Sequence, residues 1–298
     1  MKKDLISMLD VKEHLEKIID DAIEIKKGNY EKFMQGKTMA MIFEKASTRT
    51  RVSFEVAMHK LGGHAIFLSK NDLQLGRGET IEDTAKVLSR YVDVIVYRAY
   101  SHENVKELAK HASIPVINGL DNEEHPCQVI ADLMTIKERK GKLKGLKIVY
   151  FGDGNNNMAH SLILGCAIAG IKIKIVSPRK YWPNEYYIRK AKELGGEIEI
   201  EEIKEDSAKN ADVIVTDTWV SMGDEAQKEE RIRNFKGYTV NEEIMAIAKP
   251  DAIFMHCLPA YYGYEVTKEV AHGKKSVIFD EAENRLWSQM AILKWILN

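Results

Sequence analysis

Five consecutive polar residues, Ser47-Thr48-Arg49-Thr50-Arg51, have the types and the spacing to bind an anion. They follow an apolar run typical of a buried strand and precede a stretch with the apolar spacing of a helix. A helix N-terminus has unpaired N–H groups and positive partial charge, and Arg adds paired donors that fit phosphate or carboxylate oxygens. The alternative is a structural turn, in which a hydroxyl caps the helix and both arginines are solvated. The second Arg favours the anion site.

His125 and Gln128 form a second candidate site. They bracket the segment H-P-C-Q after a predicted strand, and a spacing of three places both side chains on one side of a first helical turn. One of them can then meet a carbonyl oxygen while the other meets an amide. The structural alternative is a Pro at the first helical position beside a capping neighbour.

Arg98 and Gln74 are weaker candidates in the same half of the chain. Arg98 follows the predicted strand Val94–Tyr97, at the end where a parallel sheet binds ligands; a solvated edge charge is the alternative. Gln74 opens a glycine-containing loop before a predicted helix, and a flexible connector is an equally good interpretation of that loop.

The turn G-D-G-N-N-N-M, which begins at Gly152, has some features of a dinucleotide-binding fingerprint. Two observations argue against that interpretation: Asn157 replaces the third glycine, and the next strand ends without the acidic residue expected about 20 positions further on. The asparagines instead offer amide donors and acceptors at a helix N-terminus, which suit a carboxylate.

Three further candidates lie in the second half of the chain. Asp217 ends a predicted strand in the run D-T-W-V-S-M-G, where it could pair with an ammonium group or form a turn with Trp219 filling the core. Cys257 lies in H-C-L-P at another strand end, although a buried Cys is usually an inert apolar residue. Arg285 opens the final predicted helix and, taken alone, is typical of a surface residue.

Composition excludes several classes of protein. The chain has 298 residues, of which 45% are apolar and 30% charged, and its formal net charge is −1, so it has no overall attraction to nucleic acid or anionic membranes. Its three cysteines form no C-x-x-C pair, which argues against a disulfide framework or a zinc cluster. No signal peptide or membrane span is evident. We therefore expect a cytoplasmic protein without nucleic-acid or membrane partners.

Strand-like and helix-like runs alternate throughout, which predicts an α/β fold with two doubly wound parallel-sheet domains. The domains are expected to be linked by helices, with the C-terminal helix, 284–297, packing back on the first domain. The predicted boundaries are 1–135 plus 282–298 for the first domain and 136–281 for the second. Helices are expected to begin near Ser47, Thr80, Ser101, Asn157, Tyr186 and Ser207. In such sheets ligands bind beyond the carboxyl ends of the strands, so we expect most of the motifs near a cleft between the domains.

Together these motifs resemble those of the aspartate and ornithine carbamoyltransferases. F-E-K-A-S-T-R-T-R is similar to the carbamoyl-phosphate loop of that family, H-P-C-Q to its H-P-x-Q motif and the loop of Gln74 to its Q-x-G loop. G-D-G-N-N-N-M and D-T-W-V-S-M-G resemble the ornithine-specific members, while H-C-L-P and E-N-R match the family's cleft motifs. The resemblance spans about residues 39–290, with the motifs in the family's order.

The resemblance implies transfer of a carbamoyl group from carbamoyl phosphate, on the first domain, to the δ-amine of L-ornithine, on the second, giving citrulline and phosphate. The implied catalytic residues are Arg98, His125, Cys257 and Arg285. The implied carbamoyl-phosphate ligands are Ser47, Thr48, Arg49, Thr50, Gln74, Arg98, His125, Gln128, Cys257, Leu258 and Arg285. The implied ornithine ligands are Asn157, Asp217, Ser221 and Met222.

The resemblance further implies a cytoplasmic enzyme of arginine biosynthesis that needs no metal or organic cofactor and forms a homotrimer or a multiple of trimers. In such an oligomer Gln74 would reach the neighbouring subunit's phosphate site. The alternatives are a carbamoyltransferase for another amine, a dinucleotide-binding oxidoreductase and a non-catalytic relative. One departure from the family is Tyr261-Tyr262-Gly263-Tyr264, where relatives more often carry polar or charged residues.

Overall fold

The chain forms two compact units in a computed structural model, Met1–Met134 with Glu283–Asn298 and Thr135–Ala282. The structure describes residues 2–74, 78–221, 223 and 225–297. The helices Pro126–Lys140 and Ile278–Leu297 each have residues in both units, because the boundaries between the units fall within them.

The first unit contains a parallel sheet with the strand order β2-β1-β3-β4. Its strands are β1 (Thr38–Phe43), β2 (His64–Ser69), β3 (Val94–Arg98) and β4 (Val116–Leu120). The central strands β1 and β3 are almost fully buried, which explains their continuous apolar runs, whereas the edge strand β2 exposes alternate residues. After β1 the chain forms β2 on one side of β1 and then β3 on its other side. The strand order therefore reverses between β1 and β3, and their carboxyl ends form a switch point where ligands bind in such sheets.

Helices cover the sheet of the first unit. They are α1 (Leu15–Lys26), α2 (Thr48–Lys60), α3 (Ile81–Leu88), α4 (His102–His111), α5 (Pro126–Lys140) and, in part, α11 (Ile278–Leu297), with short 3-10 helices at Met8–Val11 and Lys70–Asp72. Two of these helices have a capping hydroxyl, since the side chains of Ser47 and Thr80 accept hydrogen bonds from the third residue of α2 and α3.

The second unit contains a five-stranded parallel sheet with the order β7-β6-β5-β8-β9. Its strands are β5 (Lys147–Phe151), β6 (Lys172–Val176), β7 (Ile198–Glu201), β8 (Val213–Thr216) and β9 (Ile253–Met255). Its helices are α6 (Asn157–Ala169), α7 (Glu185–Glu193), α8 (Lys228–Asn234), α9 (Glu242–Ile247) and α10 (Lys268–Ala271), with 3-10 helices at Arg179–Tyr181 and Glu225–Gln227. The switch point of this sheet lies between β5 and β8.

The predicted fold class is confirmed, with two differences in its elements. The helix expected near Ser207 is wrong: residues 205–210 form turns. Ser207 donates to Glu201 Oε1 and accepts from the backbone N–H of Lys204, and such local side-chain hydrogen bonds compete with a helix. The last helix begins at Ile278, before the expected start at residue 284. Its first turn belongs to the second unit.

The C-terminal part of α11 packs in the first unit, as predicted. Met290 and Leu293 are fully buried, and Lys294 donates to Asp21 on α1. No helix among the described residues is long and apolar enough to cross a membrane.

Candidate active site

The N-terminus of α2 lies at the switch point of the first sheet. Ser47 Oγ accepts a hydrogen bond from the backbone N–H of Thr50 at 3.2 Å, so the capping interpretation of this turn is correct. Capping uses one lone pair of the hydroxyl oxygen and leaves its proton able to donate to a ligand. A capped helix end and an anion site are therefore compatible here. In the same turn Thr48 is exposed and Arg49 is partly exposed.

Arg285 joins the two predicted motifs of the first unit. Its Nη2 donates to Thr50 Oγ1 at 2.8 Å and its Nη1 donates to Gln128 Oε1 at 2.6 Å. Arg285 is only 3% exposed, so both hydrogen bonds lie in a desolvated environment where charge-assisted bonds are strong. The guanidinium fixes the separation of the α2 turn from the first turn of α5.

The amide of Gln128 is oriented by hydrogen bonds at both of its ends. Its oxygen accepts from Arg285, while its Nε2 donates to Asp132 Oδ1 at 2.8 Å. The amide oxygen has a second lone pair. The two hydrogen bonds fix the orientation of the Gln128 side chain.

His125 is buried among positive charges. Burial is the main reason why the pKa of His125 lies well below its ordinary value, and the charges of Arg285, Arg98 and Arg49 lower it further. The imidazole is therefore neutral at physiological pH, with one donor and one acceptor nitrogen. A neutral ring can donate to a carbonyl oxygen while the arginines supply the positive charge.

Glu44 connects the two strand ends of this switch point and was missed by the sequence analysis. Its carboxylate accepts from the Tyr97 hydroxyl and from the backbone N–H of Tyr100, both at 2.7 Å. Its own backbone N–H donates to the carbonyl of Arg98 at 2.9 Å. The residue thus links the turn before α2 to the segment that holds Arg98. Glu44 and Lys45, which precede Ser47-Thr48-Arg49-Thr50-Arg51, were the available signal, but two adjacent charged residues are equally typical of an exposed surface.

Asp121 organises the turn before His125 and was also missed. Its Oδ1 accepts from the backbone N–H groups of Glu123 and Glu124, and its Oδ2 accepts from Asn118 and lies 2.6 Å from His102 Nδ1. These contacts explain how the chain turns from β4 into α5 with His125 in a defined place.

Gln74 is the phosphate-side candidate that the structure does not bring to this cluster. It is exposed, and within the described part of the chain its recorded contact is a backbone hydrogen bond from Glu79. Its expected role toward a neighbouring subunit stays a prediction. Cys257 and Leu258 belong to the second unit, so their expected contacts with carbamoyl phosphate also stay predictions.

Asp217 occupies the switch point of the second sheet, directly after β8. It is 7% exposed, and it accepts from Asn156 Nδ2 and from Cys257 Sγ, each at 3.3 Å. Burial raises the pKa of its carboxyl above the ordinary value, while hydrogen bonds from the backbone N–H of Thr218 and from Cys257 oppose that shift. Among the described residues no Lys or Arg forms an ion pair with it. A buried carboxylate held only by weak neutral donors favours a cationic ligand.

Asn156, rather than the predicted Asn157, makes the described contact with Asp217. Its side-chain oxygen caps α6 by accepting from Ala159 N at 2.8 Å, which leaves the amide nitrogen for Asp217 and for Tyr150 Oη. An Asn one position before a predicted helix is a capping signal, and it could have identified this residue. Asn157 is partly exposed at the first position of α6.

Backbone conformation and close contacts explain why glycines occupy two positions in the turn after β5. Gly152 has a φ of +135°, and a Cβ on Gly154 would lie 2.9 Å from Ile175 Cγ2 and from the carbonyl oxygen of Tyr181. Close backbone approach therefore accounts for G-D-G without any dinucleotide.

Leu258, beside Cys257, is held by His256. His256 Nδ1 accepts from the backbone N–H of Leu258 at 2.9 Å, so Nε2 carries the proton and faces Glu265 Oε1 at 3.2 Å. Asp217, His256 and Cys257 offer possible metal-ligand atoms within 4.8 Å of one another. Because both ring nitrogens are already engaged, we interpret these residues as a hydrogen-bond cluster.

Arg231 anchors the segment that follows Asp217 and was missed by the sequence analysis. Its Nη1 donates to Asp153 Oδ2 at 2.6 Å and to the carbonyl of Trp219 at 3.1 Å. It lies in E-E-R-I-R, a charged run that gave no signal of burial. Ser221 is partly exposed, and the predicted ligand Met222 lies outside the described residues.

Comparison with known proteins assigns both parts of the chain to one family. Residues 3–138 match the family described as aspartate/ornithine carbamoyltransferase, carbamoyl-P binding domain, and residues 144–296 match its Asp/Orn binding domain. The chain therefore belongs to the aspartate/ornithine carbamoyltransferase family.

Three similar proteins are all named ornithine carbamoyltransferase. An ornithine carbamoyltransferase of Picrophilus torridus is 53% identical over the full length of both chains. A catabolic ornithine carbamoyltransferase of Thermoplasma volcanium is 51% identical, covering 100% of this chain and 99% of that protein. The solved ornithine carbamoyltransferase from Pyrococcus furiosus is 50% identical and superposes with a TM-score of 0.93, covering 98% of this chain and 96% of that one.

Proposed function

We propose that this enzyme transfers the carbamoyl group of carbamoyl phosphate to the δ-amine of L-ornithine, forming L-citrulline and phosphate. The observation that carries the proposal is the Arg285 guanidinium, which joins Thr50 and Gln128 in the unit that matches a carbamoyl-phosphate domain. The names of the full-length relatives supply the acceptor.

The first unit supplies the proposed phosphate and carbonyl ligands. Ser47, Thr48, Arg49 and Thr50 hold the phosphate, with Arg98 and, from a neighbouring subunit, Gln74. Thr50, Arg98, His125 and Arg285 polarise the carbonyl oxygen. Gln128 accepts from the carbamoyl amide. The backbone carbonyls of Cys257 and Leu258, which belong to the second unit, are the further acceptors that the resemblance implies. Donors fixed around a developing oxyanion stabilise it without reorganising during the reaction.

The second unit supplies the proposed acceptor ligands. Asp217 pairs with the α-ammonium group, because its buried carboxylate has no cation of its own among the described residues. Asn157, Ser221 and Met222 complete the ornithine set. Cys257 donates to Asp217 and thereby orients the carboxylate that meets the ligand.

The chemistry requires a neutral δ-amine. Its lone pair attacks the carbonyl carbon, the C=O electron pair moves to oxygen, and collapse of the tetrahedral intermediate breaks the bond to phosphate. The departing phosphate takes the amine proton, since neutral His125 is engaged in polarising the carbonyl. Positioning and fixed charge therefore supply the acceleration, and no metal or organic cofactor belongs to the proposal.

The proposal extends to assembly and setting. We infer a homotrimer, or a multiple of trimers, because the resemblance assigns exposed Gln74 to the phosphate site of a neighbouring subunit. The resemblance also implies a cytoplasmic setting. Arginine biosynthesis is the proposed role; the relative named catabolic is the competing possibility.

A panel of amines tests the proposed reaction. Product formation from carbamoyl phosphate is measured with ornithine, putrescine and aspartate, and binding of NAD and NADP is measured at millimolar concentration. We expect citrulline from ornithine at a rate far above the other products, and no dinucleotide binding. Faster reaction with another amine would refute the acceptor, and dinucleotide binding without carbamoyl transfer would favour the oxidoreductase.

A further inference from the structure

A cavity of about 170 Å³ lies in the second unit beside the segment that follows Asp217. Its walls include the aromatic rings of Trp219, Tyr261 and Tyr264. An engineered protein cavity of roughly 150 Å³ accommodates benzene. The volume is therefore sufficient for one aromatic ring or a branched aliphatic side chain.

Trp219, one of the residues that line the cavity, carries an indole N–H donor. The residue is 4% exposed, and its indole Nε1 has no hydrogen-bond partner among the described residues. Its ring is held by stacking on Phe235, with centroids 5.5 Å apart. Buried indole N–H groups usually have an acceptor, so a ligand oxygen would satisfy a donor that the described fold leaves unmatched.

The cavity also carries one charge of each sign. Lys228, at the start of α8, is exposed, and it forms no ion pair within the described part of the chain. Glu265, on another wall, is 1% exposed; its Oε1 accepts from the backbone N–H of Tyr261 at 2.6 Å and lies 3.2 Å from His256 Nε2. A ligand with a single charge would match one of these groups and be repelled by the other.

We propose that the cavity binds a free α-amino acid with an aromatic or bulky apolar side chain. The carboxylate meets the ammonium of Lys228 and the indole N–H of Trp219, the ammonium meets Glu265, and the side chain packs against Tyr261 and Tyr264. A zwitterion matches both charges, whereas an amine or a carboxylic acid alone matches one. Tyr261 and Tyr264 supply the ring surfaces.

Occupancy of the cavity would act on the acceptor side of the reaction. Thr218, Trp219 and Val220 line the cavity and connect Asp217 to Ser221, two of the proposed ornithine ligands. An amino acid that holds this segment in place opposes its adjustment to ornithine, so the KM for ornithine rises while the KM for carbamoyl phosphate does not. This part of the proposal rests on the proposed function.

Calorimetry on the full chain without substrates tests the site itself, with L-phenylalanine as the probe. We expect Lys228→Gln to weaken binding at least tenfold, because the carboxylate loses its cation. Lys236→Gln, at another exposed lysine that does not line the cavity, is the matched control and should bind as the unaltered protein does. Phenylacetate and phenethylamine, each lacking one charge, should bind more weakly than phenylalanine.

The outcomes separate this site from the acceptor site. No binding, or equal affinity of the unaltered protein and Lys228→Gln, would overturn the proposal, since an acceptor-site ligand would not sense Lys228. In turnover assays, phenylalanine should raise the ornithine KM of the unaltered enzyme and affect Lys228→Gln much less. Binding without that difference would refute the effect on ornithine. Absence of carbamoyl transfer would refute the proposed function and leave the titration standing.

Discussion

The two switch points of this molecule have opposite electrostatic designs. In the first unit, a neutral histidine lies among three arginines, and one of these, Arg285, ties two helix ends together. In the second unit, a single buried carboxylate, Asp217, is held by an amide and a thiol at 3.3 Å. The same sheet architecture thus presents excess positive charge at one site and an unmatched negative charge at the other. Each site is complementary to one half of the proposed substrate pair.

Removing Arg285 should give the largest effect on the cationic site. Arg285→Ala deletes the bridge between Thr50 and Gln128 together with a proposed oxyanion donor. We expect kcat to fall on the order of 100- to 1,000-fold, the usual cost of losing one such donor. Steady-state kinetics measure it, with Arg90→Ala, an exposed arginine of the same unit, as the control. A turnover within twofold of the unaltered enzyme would contradict the assigned role.

Asp217→Asn tests the anionic site with almost no change of shape. Loss of a charge-assisted contact is worth about 1.5–3 kcal/mol, which corresponds to roughly 10- to 150-fold weaker ornithine binding. Carbamoyl-phosphate binding should change little, because that ligand is assigned to the other unit. Titration of each ligand separately measures the difference, and equal weakening of both would show that Asp217 is structural.

Tyr97→Phe should give a smaller effect, confined to the first unit. It removes the hydroxyl that holds Glu44 Oε1 and therefore loosens the link between the α2 turn and the end of β3. We expect a rise of about three- to tenfold in the KM for carbamoyl phosphate, since a net hydrogen bond is worth roughly 1 kcal/mol. Tyr91→Phe, at a tyrosine that is 76% exposed, is the control. An unchanged KM would remove Glu44 as a positioning residue.

Substitution of Glu124 should have the smallest effect on activity and should change how the free energy of unfolding depends on pH. Burial raises the pKa of its carboxyl from 4.5 to about 7, so the folded chain holds a proton that the unfolded chain has released. Its contribution to the free energy of unfolding is therefore largest at low pH and is lost as pH rises from about 5 to about 7, at up to about 1.4 kcal/mol per pH unit.

Glu124→Gln should flatten that part of the stability profile. Denaturant unfolding of both proteins at several pH values measures the change, and subtracting the two profiles removes the contribution of His125, which has the opposite sign because its pKa is lowered. Parallel profiles would show that Glu124 is already ionised in the folded state.

The sequence was sufficient to predict the elements that are marked by apolar runs or by hydroxyl residues at helix starts. Continuous apolar runs located β1 and β3 because both are buried on two faces, and hydroxyl residues located the starts of α2 and α3 because they cap them. The sequence-based prediction failed at Ser207, where hydrogen bonds to a strand residue outweigh the local helical pattern.

The supporting residues of the sites were harder to predict than the ligands. Glu44, Asp121 and Arg231 make their contacts through backbone groups and distant side chains. Charged residues in such positions carry no periodic signal. Glu44 and Arg231 have partners from other parts of the chain, and Asp121 bonds mainly to backbone groups and a side chain within its own turn. Asn156 is the exception, because its capping position was visible.

The membership of α11 in both units has a consequence for the order of events during synthesis. Arg285 follows the entire second unit in the chain, whereas Thr50 and Gln128 precede it. On the ribosome the sheet of the first unit can form early, but its cationic site lacks the bridging guanidinium until the second unit has been translated. A nascent chain halted before Glu283 would thus lack the hydrogen bonds that join Thr50 to Gln128, together with the donor proposed to polarise the carbonyl.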